Sequence, residues 1–298
     1  MSALARPQGT PDRVWSYVAG LAALGGRASR DDIEGLFNPG YRKDGQEILT
    51  KENLAGDTFG AATSLNLVVA DRQEIWLGEG LEIGSQERLA DDLHDRLCAV
   101  TSENTNRVML ETYAWMAAES DRQGHLDWIY DWGRDELADR ANEGLSGEDE
   151  DKGRLMNSTK MVAWRRWMGF LGLSLVLPLQ APDYPLHAAR TARELARAGL
   201  SAGQALTGEA FMDLVSQRQP YLDGGRLFAQ ACMRIGHAPQ PSRLSPLMSA
   251  GLRDLHDQKV LTLTLSGDSG GGFTLTGDDA HAMPNFNAVT IGVLEALA

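Results

Sequence analysis

The stretch that most constrains the fold lies near the C-terminal end. Ser245-Pro246 opens a helix that turns Leu247, Leu252 and Leu255 inward, and Gln258-Lys259 leads at once into Leu261-Thr262-Leu263-Thr264-Leu265. Proline suits the first helical position because the N–H it lacks has no partner there. Strict alternation of apolar and polar residues marks a strand with one buried face. Phe273-Thr274-Leu275-Thr276 repeats the alternation beyond a glycine-rich loop. Helix, strand, flexible loop and strand form the end of a winged helix, with the wing expected at Ser266 to Gly272.

The N-terminal end gives the same order of elements. Thr10 is placed to cap a helix beginning at Pro11, with Val14, Val18, Leu21 and Leu24 at helical spacing and Gly25-Gly26 as its stop. Ser29 and Asp32 resemble a capping box for a short helix bearing Ile33, Leu36 and Phe37, which Asn38-Pro39-Gly40 ends. Thr50 or Asp57 caps a third helix with Leu54, Phe59, Ala62 and Leu65 inward. Leu67 to Ala70 and Glu74 to Leu77 then read as a hairpin about Asp71-Arg72-Gln73. Residues 1–82 are therefore expected to be a winged helix.

Residues 83–145 read as a helical connector, with Leu89, Leu93 and Leu97 at helical spacing, a further periodic stretch from Val108 to Met116, and Trp115, Trp128 and Trp132 packing between helices. Asn142 to Gly153 holds the run Glu148-Asp149-Glu150-Asp151 and has no apolar face to bury, so an exposed, mobile linker is expected there. Residues 152–190 read as a central winged-helix-like unit: Ser158 caps a helix with Met161, Trp164, Met168 and Leu171 on one side. Leu173 to Leu179 follows as a strand, and Pro178, Pro182 and Pro185 surround a turn. Residues 191–298 comprise a helical segment, broken near Gly199 to Gly208 and Pro220 to Gly225, and the C-terminal winged helix. The expected fold class is mainly α with small β-hairpins, in multiple winged-helix units joined by a helical connector.

Charge is distributed unevenly. Residues 1–151 carry 14 basic and 30 acidic side chains, residues 152–197 carry 8 and 2, and residues 198–298 carry 6 and 9, giving −16, +6 and −3 within a total of −13. Such a chain is a poor coat for nucleic acid, whose unselective affinity rests on many cations meeting phosphates. The cationic centre reads either as a DNA-facing surface or as a solvated helix face. Cys98 and Cys232 are too few for a disulfide framework, which fits a reducing cytoplasm. The longest apolar run, Gly169 to Leu179, is shorter than the roughly 20 residues that span a bilayer, and MSALARPQGT at the start lacks a secretory apolar stretch. A cytoplasmic protein without a membrane partner is expected.

Familiar catalytic motifs fail on context. Gly267-Asp268-Ser269-Gly270-Gly271 spells the surroundings of a serine-protease nucleophile, but that chemistry needs a histidine base and an aspartate orienter on upstream β-barrels, where this chain reads as helices. Ser269 is thus expected to be structural. The loop lacks the lysine of a phosphate-cradling loop. His94, His125, His187, His237, His256 and His281 show no metal-ligand spacing, and the adjacent acids Asp91-Asp92 and Asp278-Asp279 read as solvated. No enzyme activity, catalytic residue, cofactor or metal is expected.

The candidate DNA contacts are Arg154, Lys160, Arg165 and Arg166 in the cationic centre, the last two between Trp164 and Trp167, with Arg243, Arg253 and Lys259 about the C-terminal helix. Arginine meets phosphate in a forked geometry and packs flat on aromatic faces. Phe170-Leu171-Gly172-Leu173 after Trp164 and Trp167, together with the winged-helix ends, resembles the DpdG family, encoded with 7-deazapurine DNA modification and phage-restriction clusters. The resemblance implies a role in bacterial DNA modification or phage defence and carries no catalytic residues over. The leading expectation is a DNA-binding adaptor or regulator; the alternative is a non-enzymatic protein-interaction scaffold using winged-helix surfaces, so DNA or a protein complex is the expected partner.

Overall fold

The computed structural model describes residues 2–37, 53–101, 103–145, 147, 154–175, 184–267, 272–277 and 281–294. Among these the protein is mainly helical with small antiparallel sheets. The chain divides into two compact units, Met1–Arg107 with Ser158–Leu171, and Val108–Asn157 with Gly172–Ala298.

In the first unit, α1 (Pro11–Ala23) starts on its proline; Thr10 occupies the cap position, but its side chain makes no capping bond, contrary to expectation. Val14, Tyr17, Val18 and Leu21 are its buried stripe. The strand β1 (Arg27–Ser29) runs straight into α2 (Arg30–Phe37), where Ser29 Oγ accepts the Asp32 N–H at 3.1 Å and donates to Asp32 Oδ2 at 2.6 Å. That capping box is the one expected. α3 (Asn53–Ser64) contains Asp57 in its interior rather than at its start, while Thr50 and Asn38-Pro39-Gly40 lie outside the described residues. β2 (Val68–Ala70) and β3 (Glu74–Leu77) form the expected hairpin. Asp71 Oδ1 accepts the Gln73 and Glu74 N–H groups, both at 2.8 Å, which holds its carboxyl below the usual range. β1 completes the sheet in the order β1-β3-β2. Ser85 then caps α4 (Gln86–Ala99), accepting the Arg88 N–H at 3.2 Å.

The segment before α1 is tied down by a single amide. Asn106 Oδ1 accepts from Ser2 Oγ at 3.1 Å and from the Ala3 N–H at 2.8 Å, while its Nδ2 donates to the Ser64 carbonyl at 2.6 Å. Leu4 is fully buried, and a Cβ on Gly9 would stand 2.5 Å from Ala61 Cβ and 2.8 Å from the Asp57 carbonyl oxygen. The segment therefore lies close against α3. Asn106→Ala removes three bonds from a buried site and should cost about 2–3 kcal/mol, read as a lower denaturant midpoint with unchanged slope.

In the second unit, α5 (Val108–Gln123) is buried at every position from Val108 to Asp121, as befits a helix packed on several sides. α6 (Trp128–Asp131) and α7 (Arg134–Gly144) follow, and Trp115, Trp128 and Trp132 meet ring to ring at 5.6 and 4.8 Å. The chain returns to the first unit for α8 (Ser158–Phe170), in which Ser158 is the first residue. β4 (Ser174–Leu175) pairs with β5 (Tyr184–Pro185); residues 176–183, with Pro178, Pro182 and most of the expected strand, lie outside the description. Next come α9 (Ala188–Arg197), β6 (Ala205–Thr207), α10 (Gly208–Arg218), α11 (Arg226–Arg234), α12 (Pro246–Asp257) and β7 (Leu261–Thr264).

The C-terminal hairpin differs from expectation. β8 (Phe273–Thr274) pairs with β9 (Asn285–Phe286), and β7 pairs with β10 (Ala288–Ile291), giving the sheet order β6-β10-β7. Val289 and Ile291 are buried opposite Leu263 and Leu261, so β10 offers a longer matching apolar face than Phe273-Thr274 can.

Two segments share one register. α1-β1-α2-α3-β2-β3 and α9-β6-α10-α12-β7-β10 have the same order, and in each the first strand pairs with the last. Ser29 and Thr207 each cap the following helix through the N–H three residues on. Arg30 N donates to Gln73 O at 2.9 Å as Gly208 N does to Asn287 O at 2.7 Å, and Leu77 N donates to Gly26 O at 3.0 Å as Ile291 N does to Gln204 O at 2.8 Å. Gly78 N to Leu67 O and Gly292 N to Val260 O are both 2.8 Å. Asn66 (φ 57°) and Lys259 (φ 63°) make the same left-handed exit from the helix before the hairpin. The second copy adds α11 and residues 265–287.

Candidate functional site

The candidate cations divide between the units. Lys160, Arg165 and Arg166 stand on α8 of the first. Lys160 is buried, Arg165 half-buried and Arg166 exposed. In the second, Arg154 is exposed and paired with Asp139, Arg243 is half-buried with its backbone bridged to Thr274, and Lys259 is exposed. Arg253 is only 6% exposed and donates from Nη1 to the Thr276 carbonyl at 2.7 Å. A phosphate contact requires an exposed cation, so the placement of Lys160 and Arg253 does not offer them to a DNA backbone.

The helix before each hairpin is where a base-reading side chain would stand. α3 contains no Lys or Arg, and Gly56 and Thr63 are the most exposed of its described side-chain positions. Arg6 lies across Gly60 and faces Asp57 at 3.8 Å, while the Gln8 N–H donates to Asp57 Oδ2 at 3.2 Å. On α12 the positions left outward are Ala250, Asp254, His256 and Asp257. Ala250, Asp254 and Asp257 border a cleft of about 360 Å³ together with Arg253, His125, Asp127, Tyr184 and His281, the last facing Asp257 at 3.3 Å. Neither helix thus carries an exposed Lys or Arg among its own described residues.

A buried polar cluster sets the start of α12. Ser245 donates from N and Oγ to the two oxygens of Asp223 at 2.6 and 2.7 Å, and Ser245 Oγ accepts the Met248 N–H at 3.1 Å. Burial pushes the Asp223 carboxyl up to about 6 against the pull of the Ser245 bonds, and Asp121 adds to the rise. Asp121 meets His237 Nε2 at 2.6 Å. His187, fully buried, faces Thr191 Oγ1 at 2.8 Å and the Met248 carbonyl at 3.3 Å, and burial pushes its imidazole down to about 4. Sequence reading passed over Asp223 as one residue of the break before Gly224-Gly225; nothing local signals that Ser245 will meet it. Ser269, Glu148 to Asp151 and Asp278-Asp279 lie outside the described residues.

These features define a mainly helical protein of two units, each built around a helix–strand–helix–helix segment closed by a three-stranded antiparallel sheet. The chain belongs to the DpdG-like family, whose model matches residues 1–269. Membership suggests association with the Dpd DNA modification cluster. No curated protein and no solved structure matches the chain. Among the described residues, no helix is long and apolar enough to cross a membrane.

Proposed function

We propose that the protein is a non-catalytic adaptor of the Dpd DNA modification cluster, carrying two winged-helix units that engage a protein partner rather than read a DNA groove. The shared order of elements, with the first strand of each copy beside the last, supports the winged-helix reading. One observation carries the preference for a protein partner: the helix before each hairpin has no exposed Lys or Arg among its described residues. Anisotropy titration with duplex DNA should give nothing tighter than the roughly 10⁻⁴–10⁻⁶ M of unselective phosphate contact. Co-expression with other products of the cluster should yield a complex stable to gel filtration. Nanomolar DNA binding without any such complex would overturn the reading.

A second reading, DNA contact through the cationic centre, is favoured by exposed Arg166 on α8 and by the +6 of residues 152–197. On that reading Arg165→Glu with Arg166→Glu weakens binding to all sequences and lowers the log–log salt slope by roughly 1 to 2 units, at about 0.9 per phosphate. Unchanged affinity in a protein that stays folded would remove this stretch from consideration.

A further inference from the structure

Matching the two copies isolates what the second has gained. The first copy passes from β2 to β3 through Asp71-Arg72-Gln73, whereas residues 265–287, including β8 and β9, intervene between β7 and β10. Ser266, Gly272 and Phe273 of this insertion face β6 and the first residues of α10 across a cleft of about 550 Å³. That volume falls within the range of roughly 300–1,000 Å³ typical of small-molecule sites. Its lining depends on residues with no counterpart in the first copy, so the shared architecture does not require it.

The lining chemistry selects a ligand class. Leu206, Thr207 and Glu209 come from the β6–α10 corner, Ser242 from the segment before α12, and Phe273 from β8. Glu209 is the one ionisable side chain among the described lining residues, and neither Lys, Arg nor His joins it, which disfavours anions. Phe273 stacks on fully buried Phe286 at 5.5 Å and 28°, which fixes its ring while leaving it partly exposed. Ser242 holds the left-handed conformation at φ 60°, with its carbonyl accepting the Thr274 N–H at 2.7 Å. Backbone strain of this kind persists where the surroundings hold it and collects at ligand sites.

We propose that this cleft binds a small planar ring bearing a cationic or amino group, its flat face against Phe273 and its N–H donors directed to Glu209 and the hydroxyls of Thr207 and Ser242. The site is independent of which macromolecule the protein engages. Benzamidine and benzoate, alike in ring and size and opposite in charge, are the probes, titrated against the full chain by saturation-transfer NMR. Benzamidine should bind in the millimolar range and benzoate at least about tenfold more weakly, as expected for one charge-assisted contact. Glu209→Gln, an exposed position whose change leaves the fold intact, should abolish that preference. Phe273→Ala should weaken both probes. Absence of benzamidine binding, equal binding of benzoate, or a preference that survives Glu209→Gln would each overturn the proposal.

Discussion

Gly292→Ala should cost about 3–5 kcal/mol, and Gly78→Ala should cost about as much, because each new methyl group meets backbone rather than a yielding side chain. Gly78 and Gly292 follow the last strand of the two copies and donate to Leu67 and Val260. A Cβ on Gly292 would overlap the Lys259 carbonyl oxygen, and one on Gly78 would overlap that of Asn66. Those carbonyls belong to the left-handed residues that turn each helix into its strand, so they cannot retreat without breaking the sheet register. Gly56→Ala supplies the opposite sign: nothing stands within 4 Å of its Cβ position, in an exposed part of α3, and alanine there should add roughly 0.5–1 kcal/mol. Urea denaturation of the three variants is the measurement. A mild effect at Gly292 beside a large one at Gly78 would show that the two exits are not equivalent.

The paired glycines also show why the sequence was only partly legible. Local chemistry read correctly where one side chain closes on its own neighbourhood: Ser29 caps through Asp32 as its spacing implies, and the helix expected to open at Ser245-Pro246 does so, with Ser245 Oγ accepting the Met248 N–H. Strand identity was harder, because β1 and β6 are three residues each, Arg-Ala-Ser and Ala-Leu-Thr, and exist only through β3 and β10 far along the chain. The alternation at Leu261–Thr264 revealed a strand but not its partner, since Phe273-Thr274-Leu275-Thr276 alternates equally well and competes with Ala288–Ile291. The candidate site suffered most on α12. One apolar stripe at Leu247, Leu252 and Leu255 leaves Arg253 beside it looking solvent-facing, yet Met248, Ser249 and Gly251 are buried too, so the helix is covered on more than one side and Arg253 with it. Periodicity reports one buried face and is silent about a second.

Two buried groups with opposed shifts should make the protein's response to acid deceptively flat. Asp223 has its folded value raised from 3.8 to about 6, so between those values the folded state holds a proton that the unfolded chain does not, and stability from this group rises as pH falls through the window. His187 is lowered from 6.5 to about 4, so the unfolded chain takes up the proton first, and stability from this group is lost as pH falls from 6.5 towards 4. Each displacement of somewhat over two units corresponds to about 3 kcal/mol, and the windows nearly coincide. In wild type the two contributions offset. Asp223→Asn, which keeps an acceptor for Ser245, removes the compensating gain, so this variant should lose about 3 kcal/mol more than wild type between pH 7 and pH 4. His187→Gln should do the reverse and gain stability over the same interval, whatever its absolute stability at neutral pH. Guanidinium midpoints measured at half-unit steps for the three proteins test both signs, and parallel pH profiles for wild type and Asp223→Asn would show that Asp223 is ionised in the folded core at neutral pH no less readily than in the unfolded chain.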